Sequence, residues 1–267
     1  MGNASNAAAA DQSPLLRIET AGPVLSIGLN RPAKRNALND GIMLAIQDCF
    51  AALPEGTGAV VIHGIGDHFS SGLDLSELTE HDATEGLRHS QMWHRVFDRI
   101  QYSRVPVIAV LKGAVIGGGL ELACAAHIRV AEPSAYFALP EGQRGIFVGG
   151  GGSVRLPRLI GVARMTDMML TGRVYSATEG ASYGFAQYLT EEGSALTKAM
   201  ELAARIASNA PLTNFAVLQA LPMIAEANPQ TGLLMESLMA TVAQSDKEAK
   251  LRIRAFLERK TAKVKPA

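Results

Sequence analysis

Two glutamates and one run of glycines are the residues here whose types and spacing could do chemistry. Gly117-Gly118-Gly119 stands just before Glu121, and Glu141 follows Pro140 after the next apolar stretch. Glycines at a strand-to-helix transition let a ligand approach the backbone closely. They also leave amides free at the helix N-terminus, where developing negative charge is favoured. Glu121 in that first turn also fits a plain charge–dipole contact. Glu141 alone also fits a solvated loop carboxylate. The run lacks the Walker lysine, and after Gly117 and Gly119 the third glycine of a GxGxxG fingerprint is replaced by Leu122. Ser70 and Ser71 lie near His68, but no GxSxG elbow and no third member completes a nucleophile triad. His63, His94 and an apolar-flanked His127 fit packing or solvent roles.

The elements that must position these groups follow from hydrophobic periodicity. Residues 15–20 and 24–29 read as two strands with Ala21-Gly22-Pro23 as their turn. Asn36 to Asp40 opens a helix whose apolar face runs through Ile42, Leu44, Ile46 and Phe50. Ala59 to Ile62 and Val107 to Leu111 read as buried strands, separated by a polar loop (64–74) and an amphipathic helix or lid (82–101) with Met92, Trp93, Val96, Phe97 and Ile100. The glycines lead into a helix over 120–126, followed by strands at 127–130 and 135–139. This alternation is that of a β/α unit. Beyond Gly149 helical patterns dominate. Ser176-Ala177-Thr178-Glu179 and Ser245-Asp246-Lys247-Glu248 both fit a capping box.

The chain of 267 residues carries 25 basic and 25 acidic residues and is 48% hydrophobic. A sizeable core is affordable within a usual domain size, and nothing in the net charge points to nucleic acid. Cys49 and Cys124 show no metal-ligand spacing and read as free thiols in a reducing compartment. No membrane span or signal peptide is apparent, so the expectation is a cytoplasmic protein with no membrane partner. The expected organisation is a disordered tail (1–13), a β/α core (14–195) and a helical region (196–267).

Three segments together are more specific than each alone: His68-Phe69-Ser70-Ser71-Gly72-Leu73-Asp74-Leu75, Lys112 to Leu122, and Phe137-Ala138-Leu139-Pro140-Glu141-Gly142. With Arg31-Pro32, Asn36-Ala37-Leu38 and Val154 to Gly161, the chain resembles the crotonase (enoyl-CoA hydratase/isomerase) family. The resemblance implies an α/β fold, a spiral of β-β-α turns with a C-terminal helical trimerisation region, and a hexamer built as a dimer of trimers. It implies an acyl-CoA substrate, with coenzyme A as part of the substrate and no separate cofactor or metal. The backbone N–H groups of Leu73 and Gly118 fall on the family's oxyanion hole. Glu121 and Glu141 fall on its paired catalytic glutamates, with α-protonation chiefly at Glu141. Lys34, Ala37, Ser71, Asp74 and Leu75 fall at coenzyme A contacts, and Lys260 at a contact to a neighbour's 3′-phosphate.

Val148 and Ser153-Val154 depart from short-chain enoyl-CoA hydratases, which usually carry proline and threonine-glutamine there. With Gly142-Gln143-Arg144, the Phe147-Val148 pair and the four glycines at 149–152, the chain is most similar to the methylthioacryloyl-CoA hydratases of dimethylsulfoniopropionate demethylation. That implies methanethiol release and thioester hydrolysis, with Phe147, Trp93 and Met92 able to line a methylthio pocket. A general short-chain hydratase without hydrolysis is the alternative.

Overall fold

A computed structural model describes residues 14–76 and 82–258. The tail at 1–13 and Lys260, both given expectations above, lie outside these. The chain opens with an antiparallel hairpin, β1 (Leu16–Ala21) and β2 (Val24–Leu29). Every residue of β2 is buried while β1 exposes all but its first. A strand covered on both faces reads as a continuous apolar run.

Helix α1 (Asp40–Ala51) is capped by Asn39, whose side chain accepts from the Ile42 amide. Its buried face is Ile42, Met43, Ile46 and Phe50, and Leu44 is exposed. At about 100° per residue, Leu44 points roughly opposite the stripe that Ile42 and Ile46 share. The helix also starts later than expected. Arg35 and Asn36 take left-handed backbone angles, so Asn36 belongs to the turn before it.

Strand β3 (Ala59–Gly64) is followed by α2 (Ala83–Gln101), then β4 (Val107–Leu111), β5 (Ala114–Ile116) and α3 (Gly118–Ala125). β6 (Ile128–Ala131) and β7 (Tyr136–Ala138) come next. α2 begins with an Asp82–Glu85 capping box that the periodicity reading passed over. The remaining elements are α4 (Gly152–Ile160), α5 (Val162–Thr171), β8 (Tyr175–Ser176), α6 (Ala177–Tyr183), β9 (Tyr188–Leu189), α7 (Ala195–Ala207), α8 (Pro211–Phe215), α9 (Leu221–Glu226), α10 (Pro229–Ser245) and α11 (Lys247–Leu257). β8 and β9 span two residues each, too few to show a period in sequence.

One sheet runs β1-β2-β3-β4-β6-β9, parallel throughout except for the β1–β2 hairpin; a smaller sheet runs β5-β7-β8. This is the mixed α/β architecture expected. One side of the large sheet packs on α1, α2 and α3 through residues such as Ile46, Phe97, Leu111 and Leu122. The other packs on α7 through Val61, Ile108, Val110, Ala199 and Leu202. α7 therefore forms part of the core's second layer.

The Ser176–Glu179 capping box forms at α6. At α11 the cap is Asp246 rather than Ser245: Asp246 accepts from the Ala249 amide, while the Ser245 hydroxyl donates back to the Val242 carbonyl. α10 buries only Gly232 and α11 buries nothing. Among the described residues no helix is long and apolar enough to cross a membrane.

Candidate active site

The loop from β3 to Asp74 is held by Asn36, which is fully buried. Its Nδ2 donates to the carbonyls of Ile65 (2.9 Å) and His68 (2.7 Å), and its Oδ1 accepts from the Arg31 amide. The Ser70 hydroxyl donates to the Asn36 carbonyl, and Ser70 bridges Val115 of β5 as a strand would. On the next stretch Leu38 and Leu73 pair: the Leu38 amide donates to the Gly72 carbonyl, and the Asp74 amide to the Leu38 carbonyl. The Leu73 amide is thereby turned away from Leu38, towards the start of α3.

Gly72 makes that turn possible with φ +88, a conformation costly for residues with a Cβ. The Gly72 and Gly118 backbones are in close contact. A Cβ at Gly72 would lie 3.2 Å from the Gly118 nitrogen, and one at Gly118 would lie 3.5 Å from the Leu73 nitrogen. Gly118 is the first residue of α3, where an amide has no intrahelical acceptor. Two neighbouring amides thus face one space.

Glu121 and Glu141 reach that space from α3 and from the turn after β7. Both are buried, at 4% and 7% exposure. With Leu73, Gly118, Trp93 and Phe147 they line a cavity of about 340 Å³. The four glycines at 149–152, read in sequence only as a subfamily mark, are the cradle of Glu121. Gly150 and Gly152 donate backbone N–H bonds of 2.9 and 2.7 Å to its Oε1. A Cβ at Gly152 would come within 2.7 Å of Glu121 Cγ. Any larger residue would therefore push the glutamate out.

Burial raises the pKa of both carboxyls. At Glu121 the glycine amides and the Arg155 charge pull partly back. Glu141 has less help: its own backbone N–H and Arg144 oppose the rise, while the Glu121 charge adds to it. Glu141 Oε2 is buried without a hydrogen-bond partner among the described residues. A carboxyl whose pKa is raised by folding favours the native state fully below its unfolded pKa, near 4.5. That contribution is lost as pH rises through the folded value. Glu141→Gln is therefore expected to melt above wild type at neutral pH, with the gap closing on acidification towards pH 4.5 and below. Thermal melts of both proteins across pH check this.

The other expected positions are distributed as follows. Lys34 Nζ lies 2.9 Å from Asp74 and 3.1 Å from Ser76, and Arg31 also pairs with Asp74 at 3.0 Å. These cations and Ser76 hold the Asp74 carboxyl well below the usual carboxylate range, against its burial. The Asp74 side chain is thus committed within the loop. Ala37 is buried and its carbonyl accepts from Arg31; Ser71 donates to the Lys34 carbonyl; Leu75 is exposed. Phe147 sits on the cavity and is exposed. Met92 is half-buried against the core and does not line the cavity, because α2 turns Trp93 inward instead. His127 accepts from the Val107 amide and lies 2.9 Å from the Gln101 carbonyl, the structural role expected. His68 likewise accepts from the Ala114 amide. His89, which the sequence did not flag, lines the cavity within 3.2 Å of Trp93 Nε1.

Residues 19–266 match the model of a family described as enoyl-CoA hydratase/isomerase. The chain is 34% identical to 2,3-dehydroadipyl-CoA hydratase of Escherichia coli, covering 89% of this chain and 93% of that one. It is 31% identical to the short-chain-enoyl-CoA hydratase of Clostridium acetobutylicum, covering 91% and 94%. A crystal structure of a "putative enoyl-CoA hydratase" from Rhodopseudomonas palustris shares 80% identity and superposes with a TM-score of 0.91, covering 94% and 97%.

Proposed function

The chain belongs to the enoyl-CoA hydratase/isomerase family, and from that premise we propose that it hydrates short-chain enoyl-CoA thioesters. The observation that carries the reading is two buried carboxyls and two converging amides on one cavity. Glu121, with two amides on one oxygen, is favoured as the ionised base. Glu141, with one oxygen unpartnered and a neighbouring negative charge, is favoured as the protonated acid. Two carboxyls in unlike environments divide the two tasks.

In this mechanism Glu121 takes a proton from water as its oxygen bonds to the β-carbon. The double-bond electrons move towards the thioester oxygen, which accepts from the Leu73 and Gly118 amides. Glu141 then protonates the α-carbon. Lys34, Ala37, Ser71, Asp74 and Leu75 would border coenzyme A.

The narrower reading is that 3-methylthioacryloyl-CoA is a substrate. Water at its β-carbon gives a hemithioacetal, which collapses to methanethiol and a malonate-semialdehyde thioester. Hydrolysis of that thioester frees coenzyme A, and loss of CO2 leaves acetaldehyde. Trp93, Ile146, Phe147 and Val148 supply an apolar wall suited to a thioether. The test sets crotonyl-CoA beside 3-methylthioacryloyl-CoA and follows enoyl absorbance, methanethiol and free coenzyme A. Hydration of crotonyl-CoA supports the broad reading. Methanethiol and coenzyme A from the sulfur substrate support the narrow one. No turnover of either overturns both.

The reading extends to a cytoplasmic homohexamer, a dimer of trimers. Leu233, Leu234 and Leu238 of α10 and Leu251, Ile253 and Phe256 of α11 are exposed on the single chain. Large apolar side chains left in solvent on two consecutive helices are the kind of surface that subunit association covers. A mass of six chains in light scattering is the expected result.

A further inference from the structure

The cradle of Glu121 has no side chains of its own, so something outside it must set its shape. Arg155, in the first turns of α4, reaches back to it. Its Nη1 donates to the Gly150 carbonyl at 2.9 Å. Its other nitrogens go to α2: Nε to Gln101 Oε1 and Nη2 to Asp98 Oδ1, both at 2.6 Å. The guanidinium is buried, while Asp98 is half exposed. A second tie from α2 comes from the Ser90 hydroxyl, which donates to the Gly149 carbonyl at 2.7 Å.

We infer that Arg155 is a positioning residue for Glu121, fixing the glycine run through the Gly150 carbonyl so that the Gly150 and Gly152 amides meet the carboxylate, with Asp98 tuning the charge Arg155 presents. The inference rests on the hydratase reading only in taking Glu121 as the base. A planar fork that reaches three acceptors in fixed directions is what guanidinium offers and an ammonium does not. The arrangement also acts through space. Arg155 favours ionised Glu121, and Asp98 offsets part of that charge.

Among the described residues, the titratable and charged groups near Glu121 on the elements around it are these. Glu141 and Arg144 come from the turn after β7, Cys124 from α3 itself, and Arg129, beside Cys124, from β6. His89, His94 and Asp98 come from α2, and Arg155 from α4. Cys124 is pushed up to about 12 by burial and stays a neutral thiol at working pH. The remaining groups are identical in every Arg155 variant, so a change between variants belongs to Arg155 and Asp98.

The experiment compares wild type with Arg155→Gln, Arg155→Lys and Asp98→Asn. An infrared titration without substrate follows the carboxyl band that Glu121→Gln removes. Crotonyl-CoA hydration across pH gives kcat and KM. Arg155→Gln should move the Glu121 midpoint up and lower kcat by ~10²-fold with little change in KM, as a misplaced catalytic group does. Arg155→Lys should restore much of the midpoint but not kcat. Asp98→Asn should move the midpoint down, because the Arg155 charge is then less neutralised.

A loss of kcat with an unmoved midpoint makes Arg155 a structural prop and overturns the inference, as does a midpoint moving the same way in Arg155→Gln and Asp98→Asn. If Arg155→Gln does not fold, the midpoints of the other two variants decide. If wild type turns over neither crotonyl-CoA nor 3-methylthioacryloyl-CoA, the hydratase reading falls while the infrared titration still tests the coupling.

Discussion

Glu141→Gln is expected to cut kcat for crotonyl-CoA hydration by roughly 10²–10⁴-fold, the range that a positioned acid or base contributes. The amide keeps the shape of the side chain, and Glu141 makes no side-chain hydrogen bond through Oε2 that folding depends on. The fold should therefore survive, and with it the higher melting temperature argued above. A variant at once more stable and nearly inactive separates a chemical role from a structural one. Glu121→Gln should fall as far, but for a second reason too. Its Oε1 accepts from Gly150 and Gly152, and a neutral amide oxygen holds those two donors less firmly than a carboxylate oxygen does. If the two carboxyls act as one unit, the double variant is little worse than either single one. Near-wild-type turnover in either single variant removes that residue from the mechanism.

Gly72→Ala is the second large effect. The new Cβ would stand 2.6 Å from the Ile116 carbonyl oxygen at a residue with φ +88. The loop must shift, and the Leu73 amide shifts with it. Losing one oxyanion donor costs on the order of 10²–10³-fold in kcat. The control is Gly56→Ala, at φ +84 with nothing within 4 Å of the new Cβ. It carries the same backbone strain, about 1 kcal/mol or more, with no link to the site. Rates for both variants, beside their melting temperatures, check the argument. Equal rate losses would mean that strain, not the position of the Leu73 amide, is being read.

Much of this was legible from the residues. The hairpin at 15–29, the strands near 59 and 107 and the glycine-led helix follow from runs and periods that neighbours in the chain control. What escaped depends on partners distant in sequence. β5 is too short to show a pattern and forms because Ser70 and β7 lie beside it. Leu44 was assigned inward on residue type, whereas the angle about α1 selects Met43. Glu121 stood out by its motif, but its cradle did not, since glycines at 149–152 carry no mark of the carboxylate they surround. Arg155 sat within a recognised stretch with nothing to show that its fork reaches α2. The Asp82–Glu85 capping box, by contrast, is a local pattern that the residues alone display.

The parallel order of the large sheet also has a kinetic side. Val24 pairs with Ala59, Val60 with Val107, and Val130 with Tyr188. Each pairing closes a long loop, and loop closure costs entropy before any contact repays it. The β1–β2 hairpin, by contrast, is local. As the chain emerges during synthesis, the hairpin can form at once, but the Glu121 cradle must wait for residues 150–155. Helix and strand content should therefore precede a competent site, leaving apolar strands such as β2 open to wrong partners in the interval.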